Sequence, residues 1–443
     1  MKVLWSRSTP RKLTRGMLLL LIAAPLFALA HASRHPSAAA EEQAAEQAAR
    51  QDLASCRPYR VADLPGSHTF ASDFLETIVA DPAPNQKSTN AIWALSSDLD
   101  STVPAKRQAI YLSESTNGGR TWALIARMDS RYYDAKISEG LRNGLGVTPG
   151  ATSFVITTQE GAFQVFPRRD PYAPVIRRIP GPRVPRVRPD VTIPKKTGDP
   201  VRAGVVLITA DGSHMVVAYG YFDNDPQLFT YHRDRGGAWV EDGTLPHLPT
   251  DLDIFSMQFD HPTQPHPGAL YVGTGDQAYR LDLRTMQWTR VAGVGPDSAI
   301  HAISTVAGLH LAACWGVYNP INADEVTRIT TARFLLHRAK DEVGPNIRAY
   351  DIAVDPERPN RQVLAAITGV YVSGDGGQSW KRLNNLPEGE FHSAHFNSDG
   401  TVLVSGYVGT FLVNPFSNSC SPHLKTRATR RPARIRASTR ADQ

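Results

Sequence analysis

"VSGDGGQSW" occupies residues 372–380, between a run of small apolar residues and Lys381-Arg382. Three glycines, one acid and a terminal Trp fall within nine positions. A phosphate cradle would need GxxxxGK[ST], or a glycine run that opens a helix. Here a strand-like, Trp-led segment follows instead. The composition is that of a hairpin turn. Asp375 is placed to accept from backbone amides two residues on. Gly377 can take a positive φ without a Cβ clash. Trp380 can bury a broad face where the hairpin meets its sheet, with its indole N–H reaching a carbonyl. Asp375 is therefore read as a structural residue, not a catalytic one.

The stretch has graded copies. Ser115-Thr116-Asn117-Gly118-Gly119-Arg120-Thr121-Trp122 repeats it with Asn in place of Asp. Residues 232–239 keep Asp234, Gly236 and Trp239 but lose the hydroxyl residues, and at Trp288 only the Trp survives. The surroundings repeat as well. Residues 253–291 and 351–383 both open on Asp-Ile, turn at a Pro-containing segment, and continue through two apolar strands to a Trp-led one. The same outline runs through 74–125 and 204–242, with fainter versions at about 132–180, 298–340 and 390–416. Units of four short strands every ~40–50 residues predict an all-β fold, a β-propeller of four-stranded antiparallel blades. The expected number is about seven, with six and eight left open. The last unit shows only about three strands, so the N-terminal side near 56–64 is expected to supply its fourth.

The pattern Ser373-x-Asp375-x-Gly377-x-Ser379-Trp380 resembles the Asp-box (BNR) motif of sialidases, sortilin-type receptors and photosystem II assembly-factor-like propellers. The resemblance implies the propeller over 56–420 and places the motifs on the outer edge of the blades. It implies no activity. A sialidase would require an Arg triad, a Tyr–Glu nucleophile pair and an Asp acid/base. Arg178-Ile179-Pro180 matches the early Arg-Ile-Pro marker weakly, because it follows the first motif and lies in a Pro/Arg-rich stretch, 166–196. That stretch reads as a long extended loop, with an anion-binding lip as its functional alternative. Asp253 and Asp351 stand at the starts of predicted inner strands and complete, with Arg178, the catalytic candidates. The expected function is a non-catalytic ligand-binding or assembly scaffold, taking a glycan or protein ligand at the loop face. The alternative is a sialidase-like exo-glycosidase.

The remaining features concern compartment. Residues 1–30 carry a basic segment and the apolar run "MLLLLIAAPLFALA", with small-residue sites at Ala30 and Ala32. This predicts a signal peptide and an extracytoplasmic location, secreted, periplasmic or at the cell surface; an uncleaved anchor is the other reading. Residues 31–55 read as an Ala/Glu-rich linker and 421–443 as a basic, disordered tail suited to an anionic polymer or membrane surface. The formal charge of +6 resides in the termini, leaving −3 on 56–420, so no specific nucleic-acid surface is implied. Cys56 and Cys420 bracket the body and are expected to form a disulfide, while Cys314, in "LHLAACWGVY", is read as a small buried hydrophobe. His261, His266, His301, His310, His392 and His395 look scattered, so no metal and no cofactor is expected.

Overall fold

The structure is a computed structural model that describes residues 38–61, 77–80, 91–97, 109–129, 144–158, 160–183, 198–220, 226–295, 298–314, 316–328, 334–335 and 348–417. The chain divides into two compact units, 1–45 and 46–443. Of the first, only the start of the helix α1 (Ala38–Ala54) is described. The second holds the rest of α1 and every described strand.

After α1 comes β1 (Tyr59–Arg60), and then the blades follow in order. Blade 1 is β2 (Thr77–Ala80), β3 (Ile92–Ser97), β4 (Ala109–Ser115) and β5 (Ala123–Asp129). Blade 2 is β6 (Leu145–Val147), β7 (Phe154–Thr158), β8 (Gly161–Phe166) and β9 (Val175–Arg178). Blade 3 is β10 (Ala203–Ile208), β11 (His214–Tyr219), β12 (Gln227–Arg233) and β13 (Trp239–Thr244). Blade 4 is β14 (Ile254–Phe259), β15 (Ala269–Thr274), β16 (Ala278–Asp282) and β17 (Gln287–Arg290). Blade 5 is β18 (Ile300–Ser304), β19 (His310–Ala313), β20 (Gly316–Asn322) and β21 (Glu325–Arg328). Blade 6 is β23 (Ala349–Val354), β24 (Gln362–Ala366), β25 (Gly369–Ser373) and β26 (Trp380–Arg382), extended by the short β22 (Phe334–Leu335), parallel to β26. Blade 7 is β27 (Phe391–Phe396), β28 (Val402–Gly406) and β29 (Gly409–Val413), and its fourth strand is β1. Each blade is thus a four-stranded antiparallel meander, and there are seven. All seven anticipated units coincide with blades. The expected N-terminal strand completes the last one, with Tyr59 opposite Leu412 and Arg60 opposite Phe411.

A blade's faces cannot be covered from within, so each packs on its neighbours. Seven apolar clusters fill the seven seams. In β15, Leu270 and Val272 point towards blade 3 while Tyr271 points towards blade 5, which is the two-residue period of a strand turned into two different cores. Second and third strands, covered on both faces, read as continuous apolar runs such as Val363-Leu364-Ala365-Ala366. Outer strands are wet: in β13 only Trp239 is buried. The seam between blades 7 and 1 takes Leu53 of α1 together with Val61, Ile92, Ala94, Leu403 and Leu412. The segment expected as a tether therefore docks through its last turn. α1 ends where Cys56 adopts φ 64 and Arg57 N–H donates to the Asp52 carbonyl, turning the chain into β1.

The opening stretch forms the β25–β26 turn. Ser373 Oγ accepts from Gly377 N–H at 2.8 Å and donates to Asp375 Oδ1. Asp375 Oδ1 also accepts from Ser379 N–H at 2.9 Å, and Trp380 Nε1–H donates to the Gly377 carbonyl at 3.0 Å. The β4–β5 turn has the same bonds through Ser115, Asn117, Gly119 and Trp122. One bond changes direction. Ser379 Oγ donates to the Asp375 carboxylate, whereas Asn117 Nδ2 donates to Thr121 Oγ1. Gly377, at φ +81, has room for no Cβ, which would come within 2.6 Å of Asn319 Oδ1. The β12–β13 turn differs from the expectation. Without the Ser hook, Asp234 Oδ1 accepts only from Ala238 N–H; the positive φ moves from Gly236 to Gly237, and the buried Trp239 indole N–H meets no acceptor.

Candidate functional site

In blades 2 to 7 the residue leading into the inner strand accepts, through its carbonyl, from an amide at the end of the second strand or just past it. These residues are Gly144, Arg202, Asp253, Ala299, Arg348 and Glu390, and their donors are Thr157, Gly220, Gly275, Cys314, Ile367 and Tyr407. This common bond sets a common register. Two positions further on, four successive inner strands carry a one-residue bulge. Ile254 and Ser256 pair with adjacent residues of β15, and so do Ile300/Ala302, Ala349/Asp351 and Phe391/Ser393 with their partners. The residues left out of the ladder are Phe255, His301, Tyr350 and His392. A bulge bends the strand and re-aims the unpaired side chain.

The four rings meet across blade boundaries where the inner strands begin, at one mouth of the channel. Phe255 and His301 lie 5.6 Å apart, His301 and Tyr350 5.3 Å, and Tyr350 and His392 4.6 Å, the last pair stacked. Tyr407, 45% exposed, continues the arc 4.6 Å from His392. Charges flank it. The Arg348 guanidinium sits 5.3 Å over the Tyr350 ring, and Glu390 Oε1 lies 2.8 Å from His392 Nε2. Burial works against the charge on Arg348, but Tyr350, Cys314 and Glu390 outweigh it and hold the guanidinium above its ordinary pKa. Cys314 Sγ and His301 Nε2 share a hydrogen bond at 3.0 Å.

Further along the inner strands the channel is lined by both apolar and polar residues, Asp355, Glu357, His395 and Asn397 among the latter. A cavity of about 640 Å³ is bounded by all seven inner strands, through residues such as Val79, Val147, Ile208, Phe259, Ile303 and Val354. Among its lining residues, Asp351 belongs to the scaffold. Its Oδ1 accepts from Ile352 N–H at 2.8 Å and its Oδ2 from Ala394 N–H at 2.9 Å, tying blade 6 to blade 7. Ser256 Oγ donating to Ile300 O ties the inner strands of blades 4 and 5 in the same way, and Thr157 Oγ1 on the second strand of blade 2 donates to Gly204 O on the inner strand of blade 3.

The sequence candidates are thus dispersed. Asp253 leads into blade 4 and Asp351 lies on the inner strand of blade 6, with blade 5 between. Arg178 lies on the outermost strand of blade 2, exposed, its guanidinium 4.8 Å over the Phe163 ring and donating to the Glu160 carbonyl. That position is the far edge of the blade from the channel. Part of the stretch read as an extended loop is this strand β9, and Arg186 and Arg188 lie outside the described residues. Cys314, read as a buried hydrophobe, is a partly exposed thiol beyond the end of β19. Cys56 is disulfide-bonded, and Cys420 lies outside the described residues. Among the described residues no group of three His, Cys, Asp or Glu is placed to hold a metal. No described helix is long and apolar enough to cross a membrane; residues 1–30 lie outside the described residues.

The arc was missed because each ring looked solitary. Its signal is columnar. Once the units are aligned on their lead-in residues, Phe255, His301, Tyr350 and His392 occupy one column, and Gly146 and Gly204 occupy it in blades 2 and 3.

No family profile matches the chain, and no curated protein matches it. Solved structures are similar to it. A GH74 xyloglucanase from Xanthomonas campestris aligns at TM-score 0.51 and 13% identity over 74% of this chain and 50% of that one, so the chain spans half that enzyme's length. YCF48 from Cyanidioschyzon merolae aligns at 0.49 and 14%, over 82% of this chain and all of that one. The WD40 β-propeller domain of Doa1 aligns at 0.47 and 11%, over 81% and 96%. At such identity the likeness to the xyloglucanase is one of fold, and the chain is a seven-bladed all-β propeller.

Proposed function

We propose that the chain is an exported propeller of the Asp-box type that binds a glycan or protein ligand over the channel mouth without chemically altering it. The observation that carries this reading is the arc Phe255–His301–Tyr350–His392, built by the same bulge in four successive blades. Aromatic and imidazole faces bordered by Arg348 and Glu390 suit a ligand with an apolar face and polar edges. The remote position of Arg178, on the outermost strand of blade 2, favours binding over sialoside hydrolysis. The basic residues of 421–443 would hold the protein near an anionic polymer or lipid surface.

The test has three parts. N-terminal sequencing of the exported protein is expected to begin at His31 or Ser33, and an intact Met1 in membranes favours the anchor. A glycan array and a cross-linking pull-down are expected to yield a ligand whose binding falls at least tenfold in Tyr350→Ala and Tyr407→Ala. Incubation with a fluorogenic sialoside is expected to give no turnover; turnover lost in Arg178→Ala would overturn the binding reading.

A further inference from the structure

Cys314 occupies a specific chemical setting. Its Sγ is 3.0 Å from His301 Nε2, and the Arg348 guanidinium of the next blade lies near enough for the two charges to act on each other. Among the described residues, the titratable groups around it include His301 on β18 and Arg348 and Tyr350 at the start of blade 6, with Glu390 and His392 of blade 7 beyond Arg348. An imidazole in hydrogen-bond contact and a nearby guanidinium therefore flank this partly exposed cysteine. Glu390, which also acts on Arg348, has His392 as its own close partner at 2.8 Å. A thiol next to His or Arg in a partly exposed position is the setting in which the thiolate is favoured and reactive.

We propose that Cys314 is a nucleophilic thiolate, held by His301 and Arg348, that undergoes thiol–disulfide exchange with small anionic disulfides arriving at the channel mouth. The thiolate attacks one sulfur of the disulfide. The S–S bond breaks as the new Sγ–S bond forms, and the second sulfur leaves as a thiolate that takes a proton from water. No further oxidant is required, since the incoming disulfide is the oxidised partner. Arg348, over the Tyr350 ring, gives a carboxylate-bearing disulfide an advantage over a cationic one. The inference stands on this geometry alone and does not depend on the ligand-binding reading.

The test uses the full chain and 5,5′-dithiobis(2-nitrobenzoate), with Cys314→Ser as the blank. The reaction rate is expected to reach half its maximum at a pH below about 8.5, the ordinary thiol value. His301→Gln and Arg348→Met should each move that midpoint up by about one unit, roughly a tenfold loss of thiolate at pH 6. Arg348 is exposed, so its variant tests the idea even if His301→Gln fails to fold. Oxidised glutathione should react faster than cystamine, and Arg348→Met should abolish the difference. A midpoint at or above the ordinary value, no reaction in the native protein, or a midpoint unmoved by Arg348→Met would overturn the proposal.

Discussion

Asn397 of blade 7 donates from Nδ2 to the Gly118 carbonyl of blade 1 at 2.9 Å, across the junction where the two ends of the propeller meet. Beside it, Arg120 pairs with Asp399 at 2.8 Å. Asn319 in blade 5 donates likewise to the Gly376 carbonyl of blade 6, and Gln164 in blade 2 to the Gly237 carbonyl of blade 3. The turns between third and fourth strands are therefore anchor points for the preceding blade.

Removing the anchor should loosen the ring. Asn397 is buried, so Asn397→Ala should cost about 1–3 kcal/mol through the unsatisfied Gly118 carbonyl. Asn397→Asp should cost more, because a carboxylate would face that carbonyl without a donor. Urea titration of the three proteins checks the order; an aspartate variant as stable as wild type would refute it.

The turn at 373–380 predicts an asymmetry between two mild substitutions. Asp375→Asn should change stability little, because Asn117 already makes the equivalent bonds in blade 1 with its amide donating to the hydroxyl. Ser373→Ala should cost about 1–2 kcal/mol, since Ser373 Oγ accepts from the buried Gly377 amide. Thermal unfolding of both variants decides it; equal losses would show that the Asp charge, not the hook, holds the turn.

Acid should weaken the fold in two stages. Burial pushes the His395 imidazole down to about 4 and also lowers His310, against its bond to Asn319 Oδ1. The unfolded chain then takes up these protons first, so stability falls as pH drops from about 6.5 towards 4. Burial alone would raise Asp375 and Asp399, but the bonds from Ser379 and Ser373, and from Thr401 and Arg120, hold both below the usual carboxylate range. Their contribution is present above about pH 4 and lost below it. The urea midpoint measured from pH 8 to 3 should therefore decline gently, then steeply, and His395→Gln should flatten the first limb. A midpoint constant between pH 7 and 4.5 would contradict the histidine part.

Closure by β1 leads to a prediction for Cys56. It lies three residues before the strand that completes blade 7, and it is disulfide-bonded. Non-reducing peptide mapping should recover residue 56 linked to 420. Such a bond closes a loop of nearly the whole domain, so reduction should cost up to about 5 kcal/mol by chain-entropy reasoning. A melting temperature unchanged by reductant would mean that the β1 pairing and Leu53 suffice to close the ring.

The turn motifs, the seven units and the missing fourth strand were legible in the sequence because each rests on local chemistry. An eight-residue turn makes its own hydrogen bonds, and a strand buried on both faces has to be apolar along its whole length. The sequence by itself therefore determined the propeller. Only the tertiary structure decided the mouth. His301, Tyr350 and His392 are separated by 49 and 42 residues, and the side a bulged residue faces depends on pairing with the neighbouring strand rather than on its own type. The same holds for Cys314, an unremarkable residue in an apolar run until β18 brings an imidazole to its sulfur and the lead-in of blade 6 a guanidinium near it. Arg178 is the converse, suggestive as a tripeptide yet carried by its strand to the outer edge of blade 2. Ring closure is what converts distant residues into neighbours, and no local pattern specifies which of them will share a seam.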